Sequence, residues 1–181
     1  AVPDDLSDAL VASSLLRGLT ADALLHRVAH VGQGTRILVQ AAGGGMGQIL
    51  SQWATRQGAM VIGTAGSDAT AKKADQAGCV EVIRYRGEGA QDVAERVLEL
   101  THGEGVDVVL DMVAGSYVAR NLACLAEDGR AVIIAVQGGV RAEVDAGMVL
   151  RKRLTLTGST LRPRSLAFKA AIAKRLRDTS W

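Results

Sequence analysis

Ile37-Leu38-Val39-Gln40-Ala41-Ala42-Gly43-Gly44-Gly45-Met46-Gly47 is a short apolar run that ends in a glycine-rich turn. Gln48-Ile49-Leu50-Ser51-Gln52-Trp53-Ala54 follows and reads as the first turns of a helix. Strand, glycine turn and helix N-terminus together make an anion site, because the helix end presents unpaired N–H groups and a partial positive charge. Glycines let the backbone approach a phosphate with no Cβ in the way. With Ala42 in the first glycine position, Ala42-x-Gly44-x-x-Gly47 fits the relaxed dinucleotide fingerprint, a pattern that also occurs in plain tight turns. The rest of the chain decides between the two.

On both sides of the turn, strands and helices alternate. Residues 7–29 read helical, with Ser7 as N-cap and Leu10, Leu15, Leu16, Leu24 and Leu25 as apolar faces around Gly18. Strands are predicted at 36–41, 60–65, 80–85, 106–113 and 130–136. Helices are predicted from the turn to Arg56, then at 69–77, 90–101 and 116–126, with a strand at 154–159 and a helix near 165–178 closing the chain. The strands are nearly continuous apolar runs, as in a parallel sheet covered on both faces. The predicted fold class is α/β, a doubly wound parallel sheet of the Rossmann type. Residues 31–181 form its nucleotide-binding domain and residues 1–30 a helical lead-in. Ligands of such sheets lie beyond the carboxyl ends of the strands, where this turn falls. Fold and motif therefore agree on a dinucleotide.

An NAD-selective site places Asp or Glu about 20 residues past the glycines, at the end of the second strand. That place holds Ala65, Gly66 and Ser67, with Asp68 slightly later. Ser67 is suited to a 2′-phosphate, and Lys72, Lys73, Arg84 and Arg86 are sources of charge for it. The lysines read equally well as the exposed face of helix 69–77. The reading favours NADP(H), with NAD(H) as the alternative.

Composition bounds the rest. A chain of 181 residues that is 48% hydrophobic has enough apolar side chains for one core. The net charge of +2 is too small to argue for nucleic acid, and the cationic residues from Arg151 to Arg177 read as a solvated face. No apolar run approaches the roughly 20 residues that span a bilayer, so no membrane is expected. The N-terminus, Ala1-Val2-Pro3-Asp4-Asp5, does not read as a signal peptide. Cys79 and Cys124 stand far apart and read as buried hydrophobes in a reducing, cytoplasmic compartment. His26 and His30 have the spacing of a metal pair but no third ligand nearby, so no metal is expected. Asp111 interrupts an apolar strand and reads as a hydrogen-bonded structural carboxylate. Tyr117 has Asn121 four residues on, not the lysine of a short-chain dehydrogenase pair. No catalytic acid or base is nominated.

Several ordered segments resemble the zeta-crystallin-like quinone oxidoreductases, a zinc-independent branch of the medium-chain dehydrogenase/reductases. They are Leu6-Ser7-Asp8, Leu15-Leu16-Arg17-Gly18-Leu19-Thr20-Ala21, the glycine turn with Ala41 and Ala42, and Val82-Ile83-Arg84-Tyr85-Arg86. Leu110 to Tyr117, Leu125 to Arg130 and Leu154 to Ser159 extend the likeness toward the p53-inducible quinone oxidoreductase subgroup. The resemblance implies a homodimeric NADPH-dependent enzyme that reduces quinones or related conjugated carbonyls. It implies that Gly43, Gly44, Gly45 and Met46 face the pyrophosphate. Gly66, Ser67, Lys72 and Tyr85 would hold the 2′-phosphate end. Thr20, Met112, Val113, Ile134, Val136 and Gln137 would approach the nicotinamide half. Two departures bear on NADP(H). A lysine of some members falls at Thr70, and the usual Asn-Tyr-Arg is Arg84-Tyr85-Arg86.

Family members also carry a GroES-like catalytic domain, which has no counterpart in these residues. The chain is thus expected to be the cofactor half, with the residues that choose a substrate elsewhere. Strand 154–159 alternates Leu154 and Leu156 with Thr155 and Thr157, and as a sheet edge it would pair with a second copy. Two other readings stand beside this one. The first is an enoyl or other unsaturated-carbonyl reductase of the same superfamily. The second is a non-catalytic nucleotide-binding module with crystallin-like or RNA-associated roles. A methyltransferase also uses a glycine turn, but wants an acid ending the second strand.

Overall fold

The computed structural model describes residues 7–178. Leu6, the chain termini and the side chains of Leu10 and Leu15 fall outside the described set. Six strands form one sheet: β1 (Arg36–Val39), β2 (Met60–Ala65), β3 (Glu81–Arg84), β4 (Val106–Asp111), β5 (Leu125–Ile133) and β6 (Thr155–Gly158). Their order is β3-β2-β1-β4-β5-β6, and every pairing is parallel. The order reverses between β1 and β4, so the crevice of a doubly wound sheet opens at the end of β1.

Helices cover both faces, which is why the strands read as unbroken apolar runs. Seven are α-helical: α1 (Asp8–Asp22), α2 (Gly45–Arg56), α3 (Asp68–Gln76), α4 (Val93–Leu100), α5 (Tyr117–Ala123), α6 (Ala146–Lys152) and α7 (Leu166–Asp178). Ile37 and Val39 pack with Leu24, Leu25, Leu50 and Ala54 on one face. Leu38, one residue out of phase, packs with Ile62, Val97, Val118 and Leu122 on the other. The side-chain period of two in a strand sends neighbours to opposite faces, and here both are core.

Four features depart from the sequence expectation. α1 runs into a π-helical segment, Ala23–Val28, whose wider turn buries Ala23, Leu24 and Leu25 in succession. β5 begins at Leu125, where a helix was expected to run to residue 126. Its register slips, Val106 pairing with Leu125 and Val108 with Arg130. Glu127 and Asp128 occupy that irregular stretch and pair with Arg153, so the charges that hid the strand mark its distortion. The strand also stops at Ile133, leaving 134–137 beyond its carboxyl end. Finally α6 was not expected: it is only seven residues long, none of them fully buried, and its apolar contact with the core is limited to the half-buried Met148 and Val149.

The basic carboxyl-terminal third is largely satisfied from within. Besides the Arg153 pairs, Arg175 meets the buried Asp22, Lys174 meets Asp178, and Lys152 donates to the Leu125 carbonyl at 2.7 Å. Cys79 and Cys124 are free and buried. Burial pushes both thiols up, Cys124 to about 12. Among the described residues no helix is long and apolar enough to cross a membrane.

Candidate functional site

The glycine turn leaves the carboxyl end of β1 and enters α2 at Gly45, with Gly44 as an extended N-cap that offers no side chain. The Gly44 N–H donates to the Ala41 carbonyl at 2.9 Å, and Gln48 Nε2 donates back to the Gly43 carbonyl at 3.0 Å. Two glycines are required by close approach. A Cβ on Gly43 would lie 2.1 Å from the Thr70 carbonyl oxygen, and one on Gly47 would lie 2.5 Å from the Ala41 carbonyl oxygen. Both obstacles are backbone, which does not give way. The turn is therefore pressed between the start of α3 and its own strand. The N–H groups of Gly45, Met46 and Gly47 find no acceptor among the described residues. That is the cradle an anion needs.

Beneath the turn runs a buried chain of hydrogen bonds. The Ala41 N–H donates to Thr64 Oγ1 (3.0 Å), and the Thr64 hydroxyl donates to Gln40 Oε1 (2.8 Å). Gln40 Nε2 donates to Asn121 Oδ1 (2.6 Å), and Asn121 Nδ2 donates to Asp111 Oδ2 (2.7 Å). The N–H groups of Val113 and Ala114 close the series on Asp111 Oδ1, at 2.7 and 3.0 Å. None of these four side chains is more than 1% exposed. Every donor points toward the Asp111 carboxylate. The chain links the ends of β1, β2 and β4 to α5. It also holds Ala41 at a positive φ of 53°, which an alanine rarely adopts. The expectation that Asp111 is a hydrogen-bonded structural carboxylate matches this geometry. The roles of Gln40, Thr64 and Asn121 were missed, and polar residues at the ends of apolar strands were the signal.

The far end, past β2 and β3, gathers Gly66, Ser67, Lys72 and Tyr85 less tightly. Ser67 is the N-cap of α3. Its hydroxyl accepts from the Thr70 N–H while Thr70 Oγ1 accepts from the Ser67 N–H, a reciprocal box. Thr70, where some relatives of the resembled family carry lysine, is thus a structural residue here. Arg84 pairs with Asp68 and donates to the Glu88 carbonyl. Tyr85 sets its hydroxyl beside Gly66, 3.1 Å from where a Cβ would stand. Its ring meets Tyr117 edge-on at 6.1 Å, and Arg86 and Arg120 lie over it. Burial, with Tyr117 alongside, raises the Tyr85 phenol above its usual range. Lys72 is exposed on α3.

At the other end, Thr20 and Ile134 line one cavity of about 130 Å³, together with Leu24, Ser159, Arg164 and Phe168. The structure thus joins two expected nicotinamide-side residues that lie far apart in sequence. Met112 is buried and Val113 half-buried at the end of β4, while Val136 and Gln137 are exposed past β5. His26 does not pair with His30. It lies in the π-helix beside Asp22 and Gln57, its pKa lowered by burial and by Arg175.

A parallel sheet with an uncapped glycine turn at its switch point defines a dinucleotide-binding domain. The family described as zinc-binding dehydrogenase matches residues 45–176, and the chain belongs to it. Among relatives, 2-haloacrylate reductase of Burkholderia is 40% identical over 136 residues, which are 75% of this chain and 40% of that protein. Quinone oxidoreductase 1 of Escherichia coli is 37% identical over 151 residues, 83% of this chain and 45% of that one. The crystal structure of Escherichia coli quinone oxidoreductase complexed with NADPH superposes with a TM-score of 0.86 at 32% identity, covering 98% of this chain and 54% of the other. The chain spans about half the length of these relatives. The family's description names zinc; among the described residues no three His, Cys, Asp or Glu side chains gather to hold a metal.

Proposed function

We propose that this chain is the NADP(H)-binding half of an oxidoreductase that transfers hydride to quinones or related conjugated carbonyls. The observation that carries the reading is the glycine cradle at the end of β1, with three free N–H groups and no room for a side chain at Gly43 or Gly47. Its occurrence in the same fold as an NADPH-complexed quinone oxidoreductase supports the choice of ligand. A nicotinamide dinucleotide brings the hydride chemistry when bound; the protein's part is position and electrostatics. The backbone of Gly43, Gly44, Gly45 and Met46 would hold the pyrophosphate. Gly66, Ser67, Lys72 and Tyr85 would meet the ribose 2′-phosphate, Gly66 by leaving room and Tyr85 by donating its hydroxyl. Thr20, Met112, Val113, Ile134, Val136 and Gln137 would flank the nicotinamide, with Thr20 and Ile134 at the cavity between α1 and the end of β5.

The substrate side of the site would come from a GroES-like domain outside these residues. The relatives' greater length supports this. A homodimer through β6 completes the reading. β6 is the edge of the sheet, with Leu156 exposed on it and Leu150 exposed on α6. The buried, high-pKa thiols suit a reducing cytoplasm. The test is NADPH oxidation by a simple quinone, run on this chain and on a longer one that carries the substrate domain. The longer protein should turn over quinones, and this chain should stay near the uncatalysed rate. Robust turnover by this chain, or none by either, would contradict the division of labour. Sedimentation at micromolar concentration should give twice the chain mass, and a monomer would remove the β6 dimer.

A further inference from the structure

Arg17 is the unexplained charge beside the glycine cradle. It projects from α1, ahead of the stretch matched by the family, and its guanidinium lies against Gly45. A Cβ on Gly45 would stand 2.8 Å from Arg17 Cζ and 2.9 and 3.0 Å from its two terminal nitrogens. No carboxylate among the described residues pairs with it. A cation at the positive end of a helix is unfavourable, since the free N–H groups of Gly45, Met46 and Gly47 already concentrate positive potential there. α3 and α4 instead place Ser67 and Asp92 at the equivalent position, each accepting a backbone N–H. Arg17 is exposed, so water meets its guanidinium when no ligand is bound, while an anion at the start of α2 would meet both the guanidinium and the backbone N–H groups.

We infer that Arg17 closes over the pyrophosphate of the cofactor from the α1 side, opposite the α2 backbone. The inference rests on the dinucleotide reading above and deepens it. Arg17 and Thr20 are three residues apart on α1 and so share a face. One turn of α1 then supplies the charge for the phosphates and, through Thr20, a wall of the cavity expected to border the nicotinamide. α1 becomes part of the cofactor site rather than a lead-in to it. Arg17 gives affinity without regard to the 2′-phosphate, because both nicotinamide cofactors carry the same pyrophosphate.

Calorimetric titration of the 181-residue chain with NADPH, ADP and adenosine 2′-monophosphate tests this. Arg17→Ala should weaken NADPH and ADP about tenfold or more, equivalent to about 1.4 kcal/mol. It should leave adenosine 2′-monophosphate, which has no pyrophosphate, within about twofold. Arg17→Lys should recover part of the loss, as a point charge without the two-pronged geometry. The thermal midpoint of both variants should stay at or slightly above that of the parent, since a repulsive charge is removed or kept. If Arg17→Ala fails to fold, Arg17→Gln carries the same comparison. NADPH binding unchanged by these substitutions would overturn the inference, as would an equal loss for all three ligands. A parent chain that binds none of the three would overturn the dinucleotide reading itself, and this inference with it.

Discussion

The two ends of the cofactor crevice are built by different means. At the glycine turn, the main chain does the work, packed too closely for side chains and braced from below by the Thr64–Gln40–Asn121–Asp111 series. At the end past β2 and β3, proposed to meet the ribose, the groups are surface side chains that already satisfy one another: Ser67 with Thr70, and Arg84 with Asp68. The first end is fixed before any ligand arrives. In the function proposed above, the second would have to exchange internal partners for a 2′-phosphate. Binding a dinucleotide at all is therefore written into the fold, whereas preferring one dinucleotide rests on a few replaceable contacts.

The sharpest way to break this contrast is to fill the glycine turn. Gly43→Ala and Gly47→Ala should each cost on the order of 3 kcal/mol in denaturant unfolding, because the new methyl meets backbone that has to move. Gly45→Ala, whose methyl meets only the movable end of Arg17, should cost under about 0.5 kcal/mol. Equal costs at the three positions would show that the turn is not held as described. Next comes the brace. Asp111→Ala strands the Asn121 amide, the buried Ala114 N–H and the part-buried Val113 N–H, with an expected loss of about 2 to 3 kcal/mol. A stability unchanged by that substitution would mean the series is incidental.

Tests at the ribose end should read out in selectivity rather than folding. Tyr85→Phe should weaken NADPH about fivefold to tenfold through a lost hydrogen bond to phosphate, and leave NADH unaffected. A parallel loss for both cofactors would assign Tyr85 to the adenine or to packing against Tyr117 instead. The smallest effect is expected at Ser67→Ala, about 1 kcal/mol of stability from the lost helix cap. A large drop in NADPH affinity there, with stability intact, would show that the hydroxyl leaves Thr70 for the ligand.

The same contrast governs what could be read from the residues. The turn, β2 and the helices that bury a stripe declare themselves, because steric demand for glycine and burial on two faces leave strong patterns. β2 was placed at residues 60–65 and lies there. α6 left too short a pattern, seven residues with only Met148 and Val149 half-buried against the core, and β5 was concealed by Glu127 and Asp128 at its distorted start. Residues 23–28 were legible as helix, but not as π-helix, whose wider turn buries Ala23, Leu24 and Leu25 consecutively. Within the site, Ser67 and Arg84 were legible as residue types suited to phosphate. Their existing partners were not: Asp68 reaches Arg84 only when α3 starts beside β3, and Thr70 meets Ser67 in a local cap as α3 begins. Arg17 was invisible as a site residue for a similar reason: only packing of α1 on α2 brings it to Gly45.

The central claim is that the glycine cradle holds a dinucleotide and that the ribose end prefers the phosphorylated one. Parallel calorimetric titrations of the 181-residue chain with NADPH and NADH test it most directly. The account predicts saturable binding of one cofactor per chain, with NADPH the tighter of the two. Tighter binding of NADH would contradict the assignment of the ribose end, and no binding of either would contradict the cradle itself.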